Sequence, residues 1–332
     1  MGLLMEGVRR IWIGGINPPL PFSENHFKYA NFVSFKDVET LIASVEPDDY
    51  VVISDVDQKA IKAVKAVRNR VQKTVLIRNE PQVVCPKNYR ESTISLFDEI
   101  VDVGRTLLET TYTAPYAIAW PTIEQLQKNL YREKLSEIVF MNSNKLSFVK
   151  GELYSLRRIA LKSRKIWIYG PGWSSSFLAR IKTLVGELLI ASTAQTSFAF
   201  GAMRLWFSKY ENYLGLAENK LDSLSAYKVA LTIENSADYM SEKLMDALLA
   251  GCIPVYVGPD PNFFKIPSSL VVHANPTFAS ISRKIDVALS MDFDAWQVEA
   301  EAFLISDETK DFWSQATIYT GILEKILDGD DE

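Results

Sequence analysis

Short runs of β-branched and apolar residues alternate with longer amphipathic stretches along the first part of the chain. YVVIS (50–54) and TVLIR (74–78) flank the stretch QKAIKAVKAVRNRV, in which Val64 and Val67 fall on one helical face. This pattern predicts a strand, a helix and a second strand. Strands that are apolar on both faces are typical of a parallel sheet covered by helices.

A second region with the same alternation begins near residue 134. Its predicted strands are IVFM (138–141), KIWIY (165–169), VALTI (229–233) and IPVYV (253–257), and its predicted helices are 151–163, 175–190 and 239–250. The chain is therefore predicted to be an α/β protein with two facing, doubly wound Rossmann-like domains. In such sheets, ligands bind beyond the carboxyl ends of the strands.

The predicted boundaries divide the chain into three segments. The N-terminal domain is expected over 1–133 and the C-terminal domain over 134–300, and 112–127, rich in proline and aromatic residues, is interpreted as the connection. The last segment, 301–332, is predicted to be helical, able to pack back across the domain junction, and to end in an acidic tail.

Composition narrows the classes of function. Of 332 residues, 48% are hydrophobic and 23% charged, and the net charge of −5 argues against nucleic acid as the main partner. Cys85 and Cys252 are too few for a disulfide framework, which favours a reduced compartment. No apolar run is long enough for a membrane span, so a cytoplasmic location is expected, and peripheral contact with a membrane surface stays open.

Ten residues between a predicted strand and a predicted helix, ENSADYMSEK (234–243), carry most of the candidate chemistry. Ser241 or Asp238 is expected to cap the helix, whose amino terminus would suit a diphosphate. Lys243 in the first turn opposes the helix dipole, which suggests another use for its charge. The alternative is structural: Glu242 and Lys243 form a solvated helix start, while Asn235 makes an Asx turn and Tyr239 packs.

This segment resembles a known donor-binding pattern. ENS…DY.SEK followed by LMDALLAGCIPVYVGP is similar to the α-1,3-fucosyltransferases, in which ENS, a tyrosine and a T/S-E-K triplet precede an A-G-x-x-P-V-x-x-G run. Weaker similarity in FMNSNKLSFVKGELY, KIWIYGPGW and LDSLSAYKVAL extends the resemblance over 138–275, and the amino-terminal half matches only in outline. One departure is that only two residues separate Ser236 from Tyr239, fewer than in the family pattern.

The resemblance implies a fold, an activity and a set of donor contacts. The fold would be the GT-B glycosyltransferase architecture, and the reaction an inverting, metal-independent transfer of L-fucose from GDP-fucose to a glycan hydroxyl. Asn235, Tyr239, Glu242 and Lys243 would contact the donor, Glu242 at the sugar or ribose and Lys243 and Tyr239 at the diphosphate. For a further phosphate-binding cation, where the family has an arginine, the chain offers Lys150 or, a helical turn or two later, Arg157 and Arg158.

The reaction also needs a base to take a proton from the attacking hydroxyl. Glu80 follows the predicted strand TVLIR and falls where the family's catalytic carboxylate occurs, so it is the candidate base. The alternative is a solvated loop glutamate paired with Arg78. His26 is the next candidate, with an acceptor-side or structural role favoured, and His273 is interpreted as a residue that satisfies a strand end.

Two further motifs follow predicted strands. Asp55 and Asp57 in SDVDQ have the D-x-D spacing of a metal-dependent transferase, but acids are expected there to cap the next helix. The metal interpretation is therefore rejected, and no cofactor is predicted. The loop GPGW (170–173) is rich in glycine and is either a nucleotide contact or structural.

Three functions stay open from the sequence. The leading one is fucose transfer, and the second is the same fold using another nucleotide sugar. The third is a catalytically silent protein that binds a nucleotide or a glycan. The acceptor glycan cannot be named from these residues.

Overall fold

The protein is represented by a computed structural model that describes residues 9–16, 30–35, 37–105, 112–174, 176–191 and 205–328. The chain forms two compact units. The first takes residues up to Ala117 and from Phe312 onward, and the second is Ile118–Asp311. Each unit contains a six-stranded sheet in which all paired strands are parallel. The predicted α/β class with parallel sheets is confirmed.

The strands are listed here in chain order. They are β1 Arg9–Gly15, β2 Ala30–Ser34, β3 Tyr50–Ser54, β4 Lys73–Arg78, β5 Glu99–Val103, β6 Tyr112–Ala114, β7 Leu135–Met141, β8 Trp167–Tyr169, β9 Tyr213–Gly215, β10 Tyr227–Ile233, β11 Ile253–Val257 and β12 Val272–His273. The strand order is β2-β1-β3-β4-β5-β6 in the first sheet and β12-β11-β10-β7-β8-β9 in the second.

The described helices follow the same chain order. They are α1 Val38–Ser44, α2 Gln58–Val67, α3 Glu91–Ile94, α4 Ile123–Tyr131, α5 Tyr154–Ser163, α6 Phe177–Ala191, α7 Lys220–Leu224, α8 Lys243–Leu249, α9 Phe278–Ser290, α10 Phe293–Ile305, α11 Asp307–Trp313 and α12 Gln315–Asp328. Within the described ranges, no helix is both long enough and apolar enough to cross a membrane.

The first sheet is covered on both faces, which explains its continuously apolar strands. Side chains alternate between the faces of a strand, so Val51 and Ile53 pack in the core that contains Val64 and Val67 of α2. Val52, between them, belongs to a different core with residues of α12. This two-sided burial confirms the inference drawn from YVVIS and the amphipathic helix after it.

The predicted connection 112–127 contains the boundary between the two units, and it has regular structure on both sides of that boundary. Tyr112–Ala114 forms β6, which pairs with β5 at the edge of the first sheet. Helix α4 begins at Ile123 and packs against α10 within the second unit, where Asn129 donates to the carbonyl of Leu249 at 3.2 Å. The first unit therefore ends at Ala117, earlier than the expected boundary at 133.

The C-terminal stretch is helical, as expected, and its last helix joins the first unit. Ile318, Ile322 and Leu323 of α12 are buried against the first sheet, in the core that contains Ile11 and Val52. Ile318 and Ile322 are four residues apart and lie on one helical face beside Leu323, which explains why this stretch forms a covering helix.

Candidate functional site

The second sheet has a topological switch point between β7 and β10. From β7 the chain moves to β8 and β9 on one side, and it then returns to place β10 on the other side. The loops that leave β7 and β10 start at the same edge of the sheet, because parallel strands share the direction of their carboxyl ends. Ligands of doubly wound folds bind at such a point. The segment 234–242 is one of these two loops.

Lys150 stands on a tight turn in the loop that follows β7. The turn is closed by a hydrogen bond from the Glu152 amide to the Val149 carbonyl at 3.4 Å, and Gly151 adopts a φ of 91°. A positive φ of this kind suits glycine, so the sequence Lys-Gly permits the turn. The side chain of Lys150 is exposed.

The turn that carries Lys150 pairs with the loop after β10. Glu152 and Ser236 form an antiparallel bridge, and the Leu153 amide donates to the Asn235 carbonyl at 3.0 Å. The structure thus brings together Lys150 and Asn235, two predicted donor contacts that are far apart in sequence.

Arg157 is buried; its Nε and Nη2 donate to the protein, while its Nη1 has no hydrogen-bond partner among the described residues. Its Nη2 donates to the Ile233 carbonyl at 2.7 Å and to Asn235 Oδ1 at 3.0 Å, and its guanidinium lies 4.7 Å from the Tyr154 ring centroid. Only 1% of the residue is exposed, and this burial lowers the pKa of Arg157 to about 10. Arg158, also buried, donates to the Lys145 carbonyl at 2.7 Å. Both arginines anchor loops here.

Glu234 is a fully buried carboxylate at the end of β10. It accepts from the Ser241 amide at 3.1 Å and from Ser241 Oγ at 2.8 Å, and Lys243 Nζ lies 3.4 Å from its Oε2. Lys243 Nζ also donates to Ser241 Oγ at 2.6 Å. The cation that opposes the helix dipole therefore has an internal anion, Glu234, as a partner.

Helix α8 begins later than predicted and lacks the expected cap. The N-cap residue is Glu242, with no side-chain capping bond, and Ser241 Oγ receives only a long 3.5 Å bond from the Lys243 amide. The expectation that Ser241 or Asp238 occupies the N-cap position is wrong, because Ser241 is engaged with Glu234. Tyr239, in the same loop, is 1% exposed.

Lys220, the first residue of α7, links two carboxylates of α8. Its Nζ lies 3.1 Å from Glu242 Oε1 and forms an ion pair with Asp246 Oδ2. Burial would raise the pKa of Glu242, but Lys243 and Lys220 outweigh it and lower this pKa to about 2. Burial raises the pKa of Asp246 to about 6, although Lys220 opposes the shift.

A small cavity of about 10 Å³, room for roughly one water molecule, lies beside this cluster. Its lining includes Asn142 after β7, Thr232 of β10, and Lys220, Lys243 and Asp246. The cavity is therefore at the switch point, and polar residues of the loop after β7, of β10, and of α7 and α8 line it.

In the first unit, Glu80 follows β4 as predicted. Its amide donates to Asp55 Oδ1 at 3.1 Å, and its carbonyl accepts from the Tyr89 hydroxyl at 3.0 Å, so its backbone is held from two sides. The residue is half-buried. Arg78, expected as its alternative partner, instead makes a two-pronged ion pair with Asp102, with both distances 2.7 Å.

The two aspartates of SDVDQ have separate structural roles. Asp57 caps α2 by accepting from the Ala60 amide at 2.6 Å, as predicted. Asp55 does not cap the helix. It adopts a φ of 52° and its Oδ1 accepts from the Asn79 amide and from Asn88 Nδ2, so it organises the loop that carries Glu80.

The remaining candidates are placed as follows. Gly170 of GPGW adopts a φ of 124°, and a Cβ there would lie 2.4 Å from the Asn142 carbonyl oxygen, so close packing requires this glycine. His273 ends β12, and its Nε2 lies 3.0 Å from the Gly258 carbonyl, in agreement with a satisfied strand end. His26 lies outside the described residues.

Three charged residues of the site were not predicted as site residues: Lys220, Glu234 and Asp246. Asp246 is four residues after Glu242, so both point to one helix face, and this spacing was available as a signal. Lys220 is distant in sequence from both, and only the packing of α7 against α8 brings it there.

Several solved structures superpose on this chain. A trehalose 6-phosphate synthase from Burkholderia multivorans superposes with a TM-score of 0.54 at 12% identity, over 88% of this chain and 74% of that one. An α-1,3-fucosyltransferase gives 0.51 at 15% identity, over 97% and 91%. An α-glucosyltransferase in complex with UDP and DNA gives 0.52 at 12% identity, over 96% and 99%.

These likenesses establish a GT-B fold with Rossmann-like domains. At such identities they carry the fold alone. No protein-family model matches the chain, and no curated protein matches it by sequence.

Proposed function

We propose that the protein is an inverting glycosyltransferase that transfers L-fucose from GDP-fucose to a hydroxyl of a glycan. The observation that carries this proposal is the switch point of the second sheet, where the loop 234–243 and the Lys150 turn meet in a GT-B fold. A donor diphosphate requires cations and hydrogen-bond donors at this edge, and the sugar requires acceptors for its hydroxyl groups.

Of the two cations considered for the diphosphate, the geometry favours Lys150. Its side chain is exposed on a turn joined to Asn235 and Ser236, whereas Arg157 is buried and donates to Ile233 and Asn235. Arg157 then acts as the support of Asn235. A lysine meets phosphate as a point charge without the two-pronged geometry of an arginine.

Lys243 and Glu242 complete the proposed donor site. Lys243 shares its charge between the buried Glu234 and the departing diphosphate, and Glu242 accepts from hydroxyls of the sugar or ribose. Tyr239 stays a predicted diphosphate contact, and its burial shows that it also packs the loop. Protein cations stabilise the leaving group in this mechanism, so it uses no metal ion.

Glu80 takes the proton of the attacking hydroxyl in the proposed reaction. Hydrogen bonds with Asp55 and Tyr89 fix its backbone at the carboxyl end of β4, so the point from which its side chain extends is fixed. A positioned carboxylate of this kind contributes about 10² to 10⁴ to a rate.

A UDP-sugar is the second candidate donor. One structural neighbour binds UDP in its crystal, and another is described as UDP-forming in its complex with glucose 6-phosphate. The acceptor-side base and the switch-point site would serve either nucleotide.

Thermal-shift measurements with GDP, GDP-fucose, UDP and UDP-glucose, followed by a transfer assay on a glycan library, test the proposal. We expect stabilisation by GDP and GDP-fucose, and transfer that falls about 10² to 10⁴-fold in Glu80→Gln while donor binding is retained. Stabilisation by UDP and UDP-glucose alone would show that the donor is a UDP-sugar and not GDP-fucose. Binding without transfer, unchanged in Glu80→Gln, would identify a silent binding protein.

A further inference from the structure

Lys220 occupies a position that the proposed chemistry leaves unassigned. It begins α7, a helix whose start is fixed by Asn219, which caps it by accepting from the Asp222 amide at 3.0 Å. The Lys220 side chain is 39% exposed, and its ammonium contacts Glu242 and Asp246 of the neighbouring helix. A lysine of one helix therefore joins two acids of another beside the switch-point cavity.

The Glu242 side chain does not cap the helix that it precedes. A glutamate at the start of a helix commonly turns toward the free amides of the first turn, yet Glu242 makes no capping bond. Its carboxylate accepts from Lys220 Nζ at 3.1 Å and also contacts its own backbone amide. Lys220 is thus a side chain of a neighbouring helix that holds this carboxylate in place in the ligand-free protein.

Glu242 and Asp246 would repel each other without a cation between them. Acids four residues apart lie on the same helix face, and like charges at this spacing destabilise a helix. Lys243 is engaged with Glu234 on the other side of the turn. Lys220 is therefore the cation that contacts both acids, while the charge of Lys243 also lowers the pKa of Glu242.

We propose that Lys220 is a positioning residue of the donor site, which holds the Glu242 carboxylate ionised and oriented to accept hydroxyl groups of the nucleotide sugar. This inference rests on the proposed function. Lys220 acts through Glu242 and does not itself contact the donor. Its ion pair with Asp246 fixes the position of the lysine. The depressed pKa of Glu242 agrees with this arrangement.

The groups that face Glu242 decide its pH dependence. Lys220 reaches it from α7, Lys243 and Asp246 belong to α8 itself, and Glu234 lies at the end of β10. When Lys220 is replaced by methionine, Glu242 loses one of the two cations that lower its pKa, and Lys243 is the other. Its pKa then rises toward the ordinary value of 4.5, and the acid limb of donor binding moves to higher pH.

The test compares four proteins: wild type, Lys220→Met, Lys220→Arg and Lys228→Met. Lys228 is a matched control, since its ammonium is also half-buried and donates to two carbonyls, at Leu289 and Met291, away from the switch point. Calorimetric titration with GDP-fucose and with UDP-glucose from pH 4.5 to 8 gives donor affinity. NMR titration of the carboxyl carbons in the ligand-free proteins gives the titration midpoint of the Glu242 side chain.

We expect Lys220→Met to weaken donor binding about tenfold and to bring the Glu242 midpoint above pH 3.5. Lys220→Arg is expected to restore most of the affinity, and Lys228→Met to keep both the affinity and the midpoint. Unchanged affinity in Lys220→Met, an unchanged midpoint, or equal losses in Lys228→Met would each overturn the positioning role. A wild-type protein that binds neither nucleotide sugar would overturn the proposed function, and the positioning role with it.

Discussion

Arg157 donates to the side-chain oxygen of Asn235 at 3.0 Å, so a buried cation on α5 fixes the loop that leaves β10. The same guanidinium holds the Ile233 carbonyl, at 2.7 Å from Nη2 and 3.2 Å from Nε. A lysine in its place would keep a charge but could not make this fork. The sequence similarity implied a phosphate contact at this region, and the contacts of Arg157 are those of a support.

Arg157→Lys is expected to lower the free energy of unfolding by about 2 to 3 kcal/mol, since buried charge-assisted hydrogen bonds are lost. It should also weaken donor binding, because Asn235 is no longer held. Urea denaturation and calorimetric titration measure the two effects. Lys150→Met is the matched control: an exposed side chain whose loss changes stability by less than about 0.5 kcal/mol but weakens donor binding. Equal stability of Arg157→Lys and wild type would contradict the support role.

The charge of Lys243 compensates the negative charge of the buried Glu234, so removal of the lysine should destabilise the fold. Lys243→Met leaves a carboxylate that is 0% exposed without its cation, and we expect a loss of about 3 to 5 kcal/mol in the free energy of unfolding. The double variant Glu234→Gln/Lys243→Met should regain most of that stability, because no charge is then buried. Chemical denaturation of both variants measures this. A Lys243→Met protein as stable as wild type would show that Glu234 does not need the lysine.

Much of the fold was predictable because each sheet is covered on both faces. Continuous apolar strands such as YVVIS and IPVYV cannot be solvated on either side, and their bounds, 50–54 and 253–257, were predicted to the residue. The third residue of β6 is also buried, but this strand is only three residues long and lies beside prolines and aromatics, so its pattern resembled a linker.

The location of the candidate site was predictable from the sequence, but the ion pairs between its charged residues were less so. The switch-point rule placed the loop 234–243 at the carboxyl end of β10, where the structure has it. The sequence did not single out Glu234 as a partner of Lys243, because it offers several acids nearby and only the fold of the loop brings Glu234 within 3.4 Å of the lysine. Lys220 comes from a different helix, and no local pattern indicates that approach.

Asp246 should make stability depend on pH with a definite sign. Burial raises the pKa of Asp246 from 3.8 to about 6, so the folded state favours the protonated form. Its stabilising contribution is complete below about pH 3.8 and is lost as the pH rises through about 6. Asp246→Asn cannot titrate. The stability difference is the free energy of unfolding of wild type minus that of Asp246→Asn. This difference should decrease by about 1 to 3 kcal/mol as the pH rises from 4 to 7.

Urea denaturation of the two proteins at half-unit pH intervals measures this difference. Asp286→Asn, a change at an exposed acid on α9, is the control and should leave the slope across this range unchanged. A difference that rises with pH, or stays flat, would contradict the raised pKa of Asp246.

The D-x-D sequence should prove structural. Asp57→Ala removes the cap of α2 and is expected to cost about 1 kcal/mol of stability, while donor binding and transfer by the folded protein stay as in wild type. Transfer should likewise be unchanged by EDTA, since the proposed cations are lysines. Urea denaturation and transfer assays with EDTA or added Mn²⁺ measure these outcomes. Transfer that needs added metal and is lost in Asp57→Ala would instead identify Asp57 as a metal ligand.

The central claim is that an activated sugar binds at the carboxyl ends of β7 and β10, and a crystal structure with GDP tests it most directly. We predict the diphosphate between the exposed Lys150 turn and Lys243, with the ribose or sugar side toward Glu242. GDP bound away from the loop 234–243, or no GDP in crystals grown at concentrations that saturate related transferases, would contradict the claim.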